Sequence, residues 1–380
     1  MSSGNLSKNN KMKKKKIAWI THDSFLDVDL PVIGPLAAQY DITWYVLLPD
    51  AGSRFSPEEI AVRMQGEPVQ IRTFPLKYRY RDPRRFRFYW QLFGQIRRES
   101  PDCVYINFFG LPFLAPACAL RFPSKKVIFA AHQAVAHEGM RYRFITDLYF
   151  RFIYGWFRHF NFFSKGQAAL FRAKYRQPEP FITPLGLKSF GPATQTPPAD
   201  KRLFLCFGTI RPNKNVGCLI EAAQRLHEKG IEGFQVVIAG ECDEWETYAK
   251  HIRYPELFRL DIRNVGNQEI PDLFAEAHYL VLPYTTVTQS GPLKIAFYYN
   301  LPVISSDLDG FKNDVIEGVT GHVFQNNDPA DLARVMEKAL ATPQTHYQSL
   351  KERQRAFVEA HYSPASILGE YKRMFQTVMP

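Results

Sequence analysis

The feature that most constrains the fold is the segment 203–226, LFLCFGTIRPNKNVGCLIEAAQRL. Its apolar run 203–207 predicts a buried strand, and Gly208 predicts a turn directly after that strand. The apolar residues that follow recur at helical spacing, which predicts a helix that ends at Gly230. A strand, a glycine turn and a helix in this order direct backbone N–H groups and the positive end of the helix into one crevice.

The loop of this segment carries two cations, Arg211 and Lys214. A planar guanidinium and a compact ammonium beside a helix N-terminus suit the oxygens of a diphosphate. The segment therefore predicts an anion site in this loop. The alternative is an ordinary βα unit in which both cations only project into solvent.

A second segment, 279–306, predicts a strand, a polar loop, a short helix and another strand. Ser290 can cap the helix, Gly291 allows a close backbone approach, and Pro292 suits the first helical turn. The N–H groups behind this loop form a second anion cradle. Lys294 falls in the first turn, where the helix dipole disfavours a cation, and we interpret it as a solvated lysine.

Strand-like and helix-like segments alternate along the chain, which indicates the α/β class with parallel sheets. The predicted strands are 16–21, 42–48, 102–108, 126–131, 159–164 and 181–184 in the first half, and 203–207, 235–239, 279–283 and 302–305 in the second. The Pro-, Ser- and Thr-rich segment 189–202 predicts a linker between the two halves. We therefore predict two doubly wound, Rossmann-like domains that face a cleft.

Residues 202–340 resemble the donor half of family 4 glycosyltransferases, which have the GT-B fold. The resemblance rests on GTIRPNKN with its amphipathic helix and on TQSGPLKIAFYYNLPVISSDLDGFKNDVIEGVTGHVF, and it is weaker over the first half. It implies that residues 1–192 bind an acceptor and that residues 193–362 bind a nucleotide-sugar donor. It also implies that the last segment, 363–380, crosses back onto the first domain.

The same resemblance implies roles for individual residues of the donor half. Arg211 and Lys214 would grip the donor diphosphate. The loop of Thr288, Gln289, Ser290 and Gly291 would cradle the same group.

Two candidate residues lie in the first half. The resemblance implies that His132, at the end of the strand 126–131, faces the donor sugar; the alternative is a structural histidine. In the segment HDSFLDVD, Asp27 has no evident structural duty and is a candidate contact for the sugar or the acceptor. We interpret Asp29 in the same segment as a helix cap.

One departure from the family pattern concerns the donor ribose. The common pattern has two glutamates eight positions apart around the loop, and the second holds the ribose. Val287 and Ile295 stand at those places here. The chain resembles a variant branch with a TQSG loop in place of the paired glutamates, and the way in which it holds the ribose is left open.

The charge of the chain is uneven. The net charge is +11, and the residues up to Asp200 hold 29 Lys and Arg against 15 Asp and Glu. An acidic acceptor, an anionic membrane or nucleic acid would each suit a basic first half, but no nucleic-acid-binding module accompanies the charge. Arginines 84, 85 and 87 and the aromatic-rich helix predicted over 141–160 favour the membrane surface. The alternatives are a solvated basic face and a buried helix.

Cysteine use and hydropathy bear on the compartment. The five cysteines are scattered and form no CxxC pair, which favours reduced thiols in a cytoplasm and no structural zinc. The chain shows no signal peptide and no window of about 20 apolar residues. We therefore expect a cytoplasmic protein that is peripheral on the inner face of the membrane.

The predicted function is glycosyl transfer from a nucleotide-sugar donor to a lipid-linked saccharide, in the synthesis of a cell-surface polysaccharide or glycolipid. The resemblance implies retention of anomeric configuration. We expect neither a metal nor a cofactor, because no metal-binding pair of carboxylates stands near the predicted cleft. Asp307 and Asp309 have the spacing of such a pair, but they follow a strand where the family carries no metal. Two alternatives stay open: a weak or inactive scaffold of the same fold, and a nucleotide-sugar epimerase.

Overall fold

The computed structural model describes residues 13–50, 52–53, 55–135 and 143–380. The chain divides into two compact units. The first comprises Met1–Phe163, Leu170–Thr183 and Leu368–Pro380, and the second comprises Ser164–Ala169 and Pro184–Ile367. Among the described residues, no helix is both long and apolar enough to cross a bilayer.

The described strands of the first unit form one parallel sheet in the order β3-β2-β1-β4-β5-β6-β7. Their bounds are β1 (Lys16–His22), β2 (Asp41–Pro49), β3 (Gln70–Leu76), β4 (Cys103–Asn107), β5 (Val127–Ala131), β6 (His159–Phe162) and β7 (Phe181–Ile182). The chain runs outwards from β1 in both directions, so the carboxyl ends of β1 and β4 are neighbours at the point where the strand order reverses.

Helices connect these strands. They are α1 (Leu26–Ala37), α2 (Pro57–Arg63), α3 (Arg84–Arg98), α4 (Leu114–Ala119), α5 (Arg143–Trp156) and α6 (Lys165–Lys174). Of the helix predicted over 141–160, residues 141 and 142 lie outside the described residues. Central strands such as β5 are buried along their whole length, as expected for a parallel sheet covered on both faces.

The second unit holds another parallel sheet, whose described strands have the order β10-β9-β8-β11-β12-β13. The strands are β8 (Arg202–Phe207), β9 (Phe234–Ala239), β10 (Phe258–Asp261), β11 (Tyr279–Leu282), β12 (Val303–Ser306) and β13 (Gly321–Phe324). The helices are α7 (Val216–Glu228), α8 (Glu246–Ala249), α9 (Ile270–Glu276), α10 (Gly291–Tyr298), α11 (Pro329–Ala341) and α12 (Gln344–Tyr362). The last helix, α13 (Pro364–Val378), belongs to the first unit from Leu368 onwards. Two parallel sheets with alternating helices confirm the predicted α/β fold of two Rossmann-like domains.

Contacts of the linker and of the last helix explain where the units divide. The division falls between Thr183 and Pro184, whereas the prediction set it after residue 192. Residues 184–192 belong to the second unit because Tyr299 fixes them: its hydroxyl donates to the Gly191 carbonyl at 2.9 Å and accepts from the Phe190 N–H at 3.2 Å. In α13, the ring of Phe375 lies 5.9 Å from that of Trp19 in the first sheet.

Candidate functional site

The turn after β8 is held by a close backbone contact. Gly208 has φ 109° and donates its N–H to the Ala239 carbonyl at 3.0 Å. At Gly240, with φ 146°, a Cβ would lie 2.2 Å from the Gly208 carbonyl oxygen. Only glycine fits at residue 240, and the two turns meet at the carboxyl edge of the sheet.

Arg211 and Lys214 lie in the loop between β8 and α7. Arg211 is exposed, whereas Lys214 is half-buried and its Nζ lies 3.8 Å from the centroid of the Tyr284 ring. Burial is the main cause that lowers the pKa of Lys214 to about 8; Cys206 opposes this decrease and the charge of Arg211 adds to it. Within the described chain, neither cation forms an ion pair with a carboxylate. An uncompensated, half-buried ammonium favours an external anion.

The loop before α10 is joined to this one by the backbone. Thr285 donates its N–H to the Asn213 carbonyl at 2.9 Å. Ser290 is buried and caps α10 by accepting the Leu293 N–H, as predicted. A Cβ on Gly208 would lie 3.5 Å from Cγ of Pro292, so the N-terminus of α10 meets the turn after β8. The structure thus brings Arg211, Lys214 and residues 288–291 together in the second unit.

Two further groups complete the surroundings of this site. Nε2 of Gln289 is buried and has no hydrogen-bond partner in the part of the chain that the structure describes. A buried amide without a partner is rare and points to a ligand. Lys188 was missed by the sequence analysis because it lies between the strand predicted over 181–184 and the linker predicted over 189–202. A Cβ on Gly291 would lie 3.5 Å from its Nζ. The available signal was that Lys188 is the one basic residue between Arg176 and Lys201.

The interpretation of Lys294 as solvated is wrong. The residue is 5% exposed, and its Nζ lies 2.8 Å from Oδ2 of Asp314 and 3.9 Å from the centroid of the Tyr362 ring. Burial lowers the pKa of Lys294, and the neighbouring Asp314 opposes that decrease. Lys294 therefore forms a buried structural ion pair with Asp314, a residue 20 positions away in the sequence.

The two positions that carry glutamates in the common family pattern are packed here. Ile295 is 4% exposed in the core of the second unit. Val287 lies against Gly310, where a Cβ would come within 2.5 Å of its carbonyl oxygen. Neither residue offers an acceptor for a ribose hydroxyl from its side chain.

In the first unit, His132 directly follows β5. Its ring is stacked between Phe25 and Phe163, with centroid distances of 3.9 Å and 4.5 Å. Its Nε2 lies 2.9 Å from Oδ1 of Asn107 at the end of β4. Asp27 is half-buried in the first turn of α1.

The interpretation of Asp29 as a helix cap is wrong. The helix α1 begins at Leu26 with Phe25 at the cap position, and Asp29 is fully buried inside it. The carboxylate accepts hydrogen bonds from Trp19 Nε1 at 2.9 Å, from the Thr21 hydroxyl and from Asn107 Nδ2 at 2.8 Å. Burial raises the pKa of Asp29 to about 7, and these three hydrogen bonds oppose the increase.

Acidic residues near the carboxyl edge of the second sheet are engaged within the protein. Asp307 accepts the Asn326 N–H at 2.8 Å, and Asp309 lies 2.6 Å from Nζ of Lys312. The described residues contain no group of three or more His, Cys, Asp or Glu side chains that could hold a metal ion.

Comparison with known protein families finds one match, and it lies in the second unit. Residues 201–342 match the family model of glycosyl transferases group 1. No curated protein sequence matches the chain.

Solved structures share the fold at low sequence identity. The Anabaena protein HepE, solved with UDP and glucose, is 12% identical with a TM-score of 0.72, over 96% of this chain and 100% of that one. Sucrose-phosphate synthase from Thermosynechococcus elongatus is 16% identical with a TM-score of 0.72, over 96% and 99%. WaaG, a glycosyltransferase involved in lipopolysaccharide biosynthesis, is 16% identical with a TM-score of 0.65, over 95% and 99%. Residues 201–342 are therefore similar to glycosyl transferases group 1, and the chain shares the GT-B fold of these structures, which confirms the predicted enzyme class, glycosyltransferase.

Proposed function

We propose that the chain transfers a glycosyl group from a nucleotide-sugar donor, bound by the second unit, to a saccharide acceptor bound by the first. The observation that carries this proposal is Lys214. Its half-buried ammonium has no carboxylate partner among the described residues, and it lies beside Arg211 in the segment that matches the group 1 family. The HepE structure holds UDP and glucose, which supports the same ligand class here.

The chemistry follows from the charge that develops in the reaction. The bond between the sugar C1 and the diphosphate oxygen breaks, and the leaving diphosphate gains negative charge. Arg211 and Lys214 bind its oxygens, and the N–H groups at the start of α10 with the Gln289 amide add fixed donors. Their charge stabilises the leaving group, so the reaction proceeds without a divalent metal or a further cofactor.

The reacting sugar is the second part of the proposal. His132 and Asp27 position it, and the oxygen of the acceptor hydroxyl forms the new bond to C1 with retention of configuration, while its proton passes to the leaving diphosphate. The packed positions Val287 and Ile295 are the observation behind the rival interpretation, a scaffold with little turnover. A nucleotide-sugar epimerase is the other rival.

The test is incubation of the full-length protein with a panel of nucleotide sugars, with and without chelator, while nucleoside diphosphate release is measured. We expect release that chelator does not reduce. Each of the variants Arg211→Ala and Lys214→Ala should turn over about 10²- to 10³-fold more slowly, because each loses a fixed charge on the leaving group. Lys229→Ala is the matched control, since this exposed lysine of the same unit pairs with Glu337 on the surface.

The possible outcomes separate the candidates. Near-normal turnover in both Arg211→Ala and Lys214→Ala would contradict the diphosphate site. Epimerisation of the donor without diphosphate release would favour the epimerase, and nucleotide binding without turnover would favour the scaffold. Loss of turnover with chelator, restored by magnesium or manganese, would contradict the metal-independent mechanism.

We further propose that the acceptor is lipid-linked and that the first unit docks on an anionic membrane through α5. One face of α5 packs into the unit, with Phe150, Ile153 and Tyr154 buried, and Phe157 is buried directly after the end of the helix. Another face exposes apolar side chains at helical spacing: Phe144 is 80%, Leu148 is 59% and Trp156 is 54% exposed, and Ile145 adjoins them at 49%. Such an unpartnered apolar face on a helix suits the interfacial region of a bilayer.

Cations border this face of α5. Arg151 is exposed on the same helix and Arg158 is exposed two residues after its end, and each cation near an anionic leaflet contributes about 1 kcal/mol. Of the arginines that the sequence singled out, Arg84 is bonded to Asp82 and Arg85 donates to the Tyr78 carbonyl. The docking surface therefore centres on α5 rather than on the start of α3.

Two observations support the proposed product class and the proposed location of this surface in the cell. WaaG acts in lipopolysaccharide biosynthesis, which supports a cell-surface glycolipid or polysaccharide as the product class. The five cysteines are unpaired and four are buried, which suits a reducing cytoplasm and thus the inner face of the membrane.

The docking test is sedimentation with vesicles of phosphatidylcholine and phosphatidylglycerol at low and high salt. The wild type should sediment at low salt, and less at high salt because salt screens the arginines. The triple variant Phe144→Ser/Leu148→Ser/Trp156→Ser should stay in the supernatant. A triple variant at exposed apolar sites elsewhere, Val62→Ser/Leu120→Ser/Leu260→Ser, is the control and should sediment like the wild type. Equal sedimentation of both triple variants would contradict docking through α5.

A further inference from the structure

A buried chain of hydrogen bonds runs from β2 and β1, through α1 and the end of β4, to His132. Trp44 Nε1 can only donate, and it lies 2.8 Å from the Thr21 hydroxyl oxygen. The Thr21 hydroxyl therefore accepts from Trp44 and donates its own proton to Oδ2 of Asp29. Trp19 Nε1, also donor-only, donates to the same oxygen. Asp29 thus accepts two hydrogen bonds at Oδ2, which suits an ionised carboxylate.

The third donor to Asp29 fixes the orientation of an amide. Asn107 has an N–H donor end and a carbonyl acceptor end, and the end near Oδ1 of Asp29 lies at 2.8 Å. The reverse orientation would place two acceptors against each other, so the carboxylate requires Nδ2 at this end. Both groups are completely buried, where an unsatisfied contact is costly.

The orientation of Asn107 in turn fixes the imidazole. With Nδ2 facing Asp29, the carbonyl Oδ1 faces Nε2 of His132 at 2.9 Å. Nε2 must then carry a proton, and the neutral ring has its acceptor at Nδ1. The plane of the ring is set independently by stacking on Phe25, with 13° between the two rings.

We propose that Asp29 is a positioning residue that acts through Asn107 to hold His132 with Nε2 protonated and Nδ1 as the acceptor of the neutral ring. The proposal rests on the sugar-facing role of His132 in the proposed function. It adds to that function a carboxylate that touches no substrate and that decides which nitrogen of His132 can accept a proton.

The charge of Asp29 makes the arrangement sensitive to pH. Protonated Asp29 can donate to Oδ1 of Asn107, which turns the amide over and presents Nδ2 to an unprotonated Nε2. The titratable groups that bear on Asp29 are Asp27 on its own helix, Tyr105 on β4 and Tyr371 on α13. Burial raises the pKa of both tyrosines, so they stay neutral, and Asp27 is the charge that disfavours ionisation of Asp29.

The direct test is the tautomer of His132 in the full-length protein, read from ¹⁵N chemical shifts of labelled histidine at pH 8.5. The signals of His132 are identified by their absence in His132→Gln. The wild type should show Nε2–H. Asp29→Asn keeps the shape but lets Asn107 turn over, so it should give a mixture of tautomers. Thr21→Val is the control, because it removes a different hydrogen bond to Asp29 and should leave the tautomer unchanged.

Turnover supplies a second readout that a purely structural role would not produce. Asp29→Asn should lower kcat by about tenfold in the wild-type background and have no further effect in His132→Gln. An Nδ1–H tautomer in the wild type would overturn the proposal even if Asp29→Asn does not fold, and so would an unchanged tautomer in a folded Asp29→Asn. If the tautomers are as expected but His132→Gln keeps full turnover, the sugar-facing role fails while the positioning of the ring stands.

Discussion

The donor loops of the second unit and the His132 network of the first unit are built in opposite ways. Arg211, Lys214 and residues 288–291 come from two short segments, each a strand end followed by a helix start. The network instead joins residues of β1, β2, β4, α1 and the end of β5 through side chains alone. Backbone geometry thus determines the donor loops, and long-range side-chain pairing determines the His132 network.

This difference explains which features a sequence can reveal. A capping serine, a proline in the first turn and a glycine turn are local, and each has one main structural role. A buried carboxylate has no local signature, because its donors are supplied by neighbours in the sheet. If pairing across the chain matters as much as this contrast implies, substitutions at distant side-chain pairs should have measurable effects.

The largest effect on stability is expected at the buried pair of Lys294 and Asp314. Lys294→Met should lower the free energy of unfolding by about 3–5 kcal/mol, because the largely buried Asp314 carboxylate loses its ammonium partner and keeps the hydrogen bond from the Tyr362 hydroxyl. Lys312→Met removes the exposed pair with Asp309 and should leave stability unchanged. Urea unfolding of both variants measures the difference, and equal midpoints would show that Lys294 is a surface lysine after all.

A smaller, pH-dependent effect is expected at Asp29. Its pKa is raised from 3.8 to about 7 in the folded state, so its protonated form is the stabilised one. This contribution is fully present below pH 3.8 and is lost as the pH rises through about 7. The stability of the wild type relative to Asp29→Asn should therefore fall over that interval by no more than about 4 kcal/mol. Unfolding in urea at pH 4 to 8.5 measures it, and a constant difference would place the pKa near its ordinary value.

The smallest effect is the pH dependence at the donor site. The pKa of Lys214 is lowered to about 8, so the ammonium is lost as the pH rises above that value. For the wild type, kcat/KM for the donor should fall above pH 8 and be about tenfold lower at pH 9. Lys214→Arg keeps its charge and should not show this decline. A decline of the same size in Lys214→Arg would assign it to another group.

The sequence predicted the strands that lead into the donor loops, the cap at Ser290 and the α/β class, because each depends on short-range patterns. It missed the edge strand β3, which is half exposed and contains Pro75, so neither an apolar run nor clean alternation marks it. It also misassigned Lys294 and Asp29. Helix position alone favours a solvated lysine and a capping aspartate, whereas burial and distant partners decide otherwise in both cases.

The most direct test of the donor site is the binding of nucleoside diphosphates, measured by calorimetry with a panel of nucleobases in the presence of chelator. At least one should bind the wild type and Lys229→Ala with equal affinity. Arg211→Ala and Lys214→Ala should each bind it about ten- to a hundredfold more weakly, because each loses a charge-assisted contact worth about 1.5–3 kcal/mol. Binding of no nucleoside diphosphate, or equal binding by all four proteins, would contradict the account.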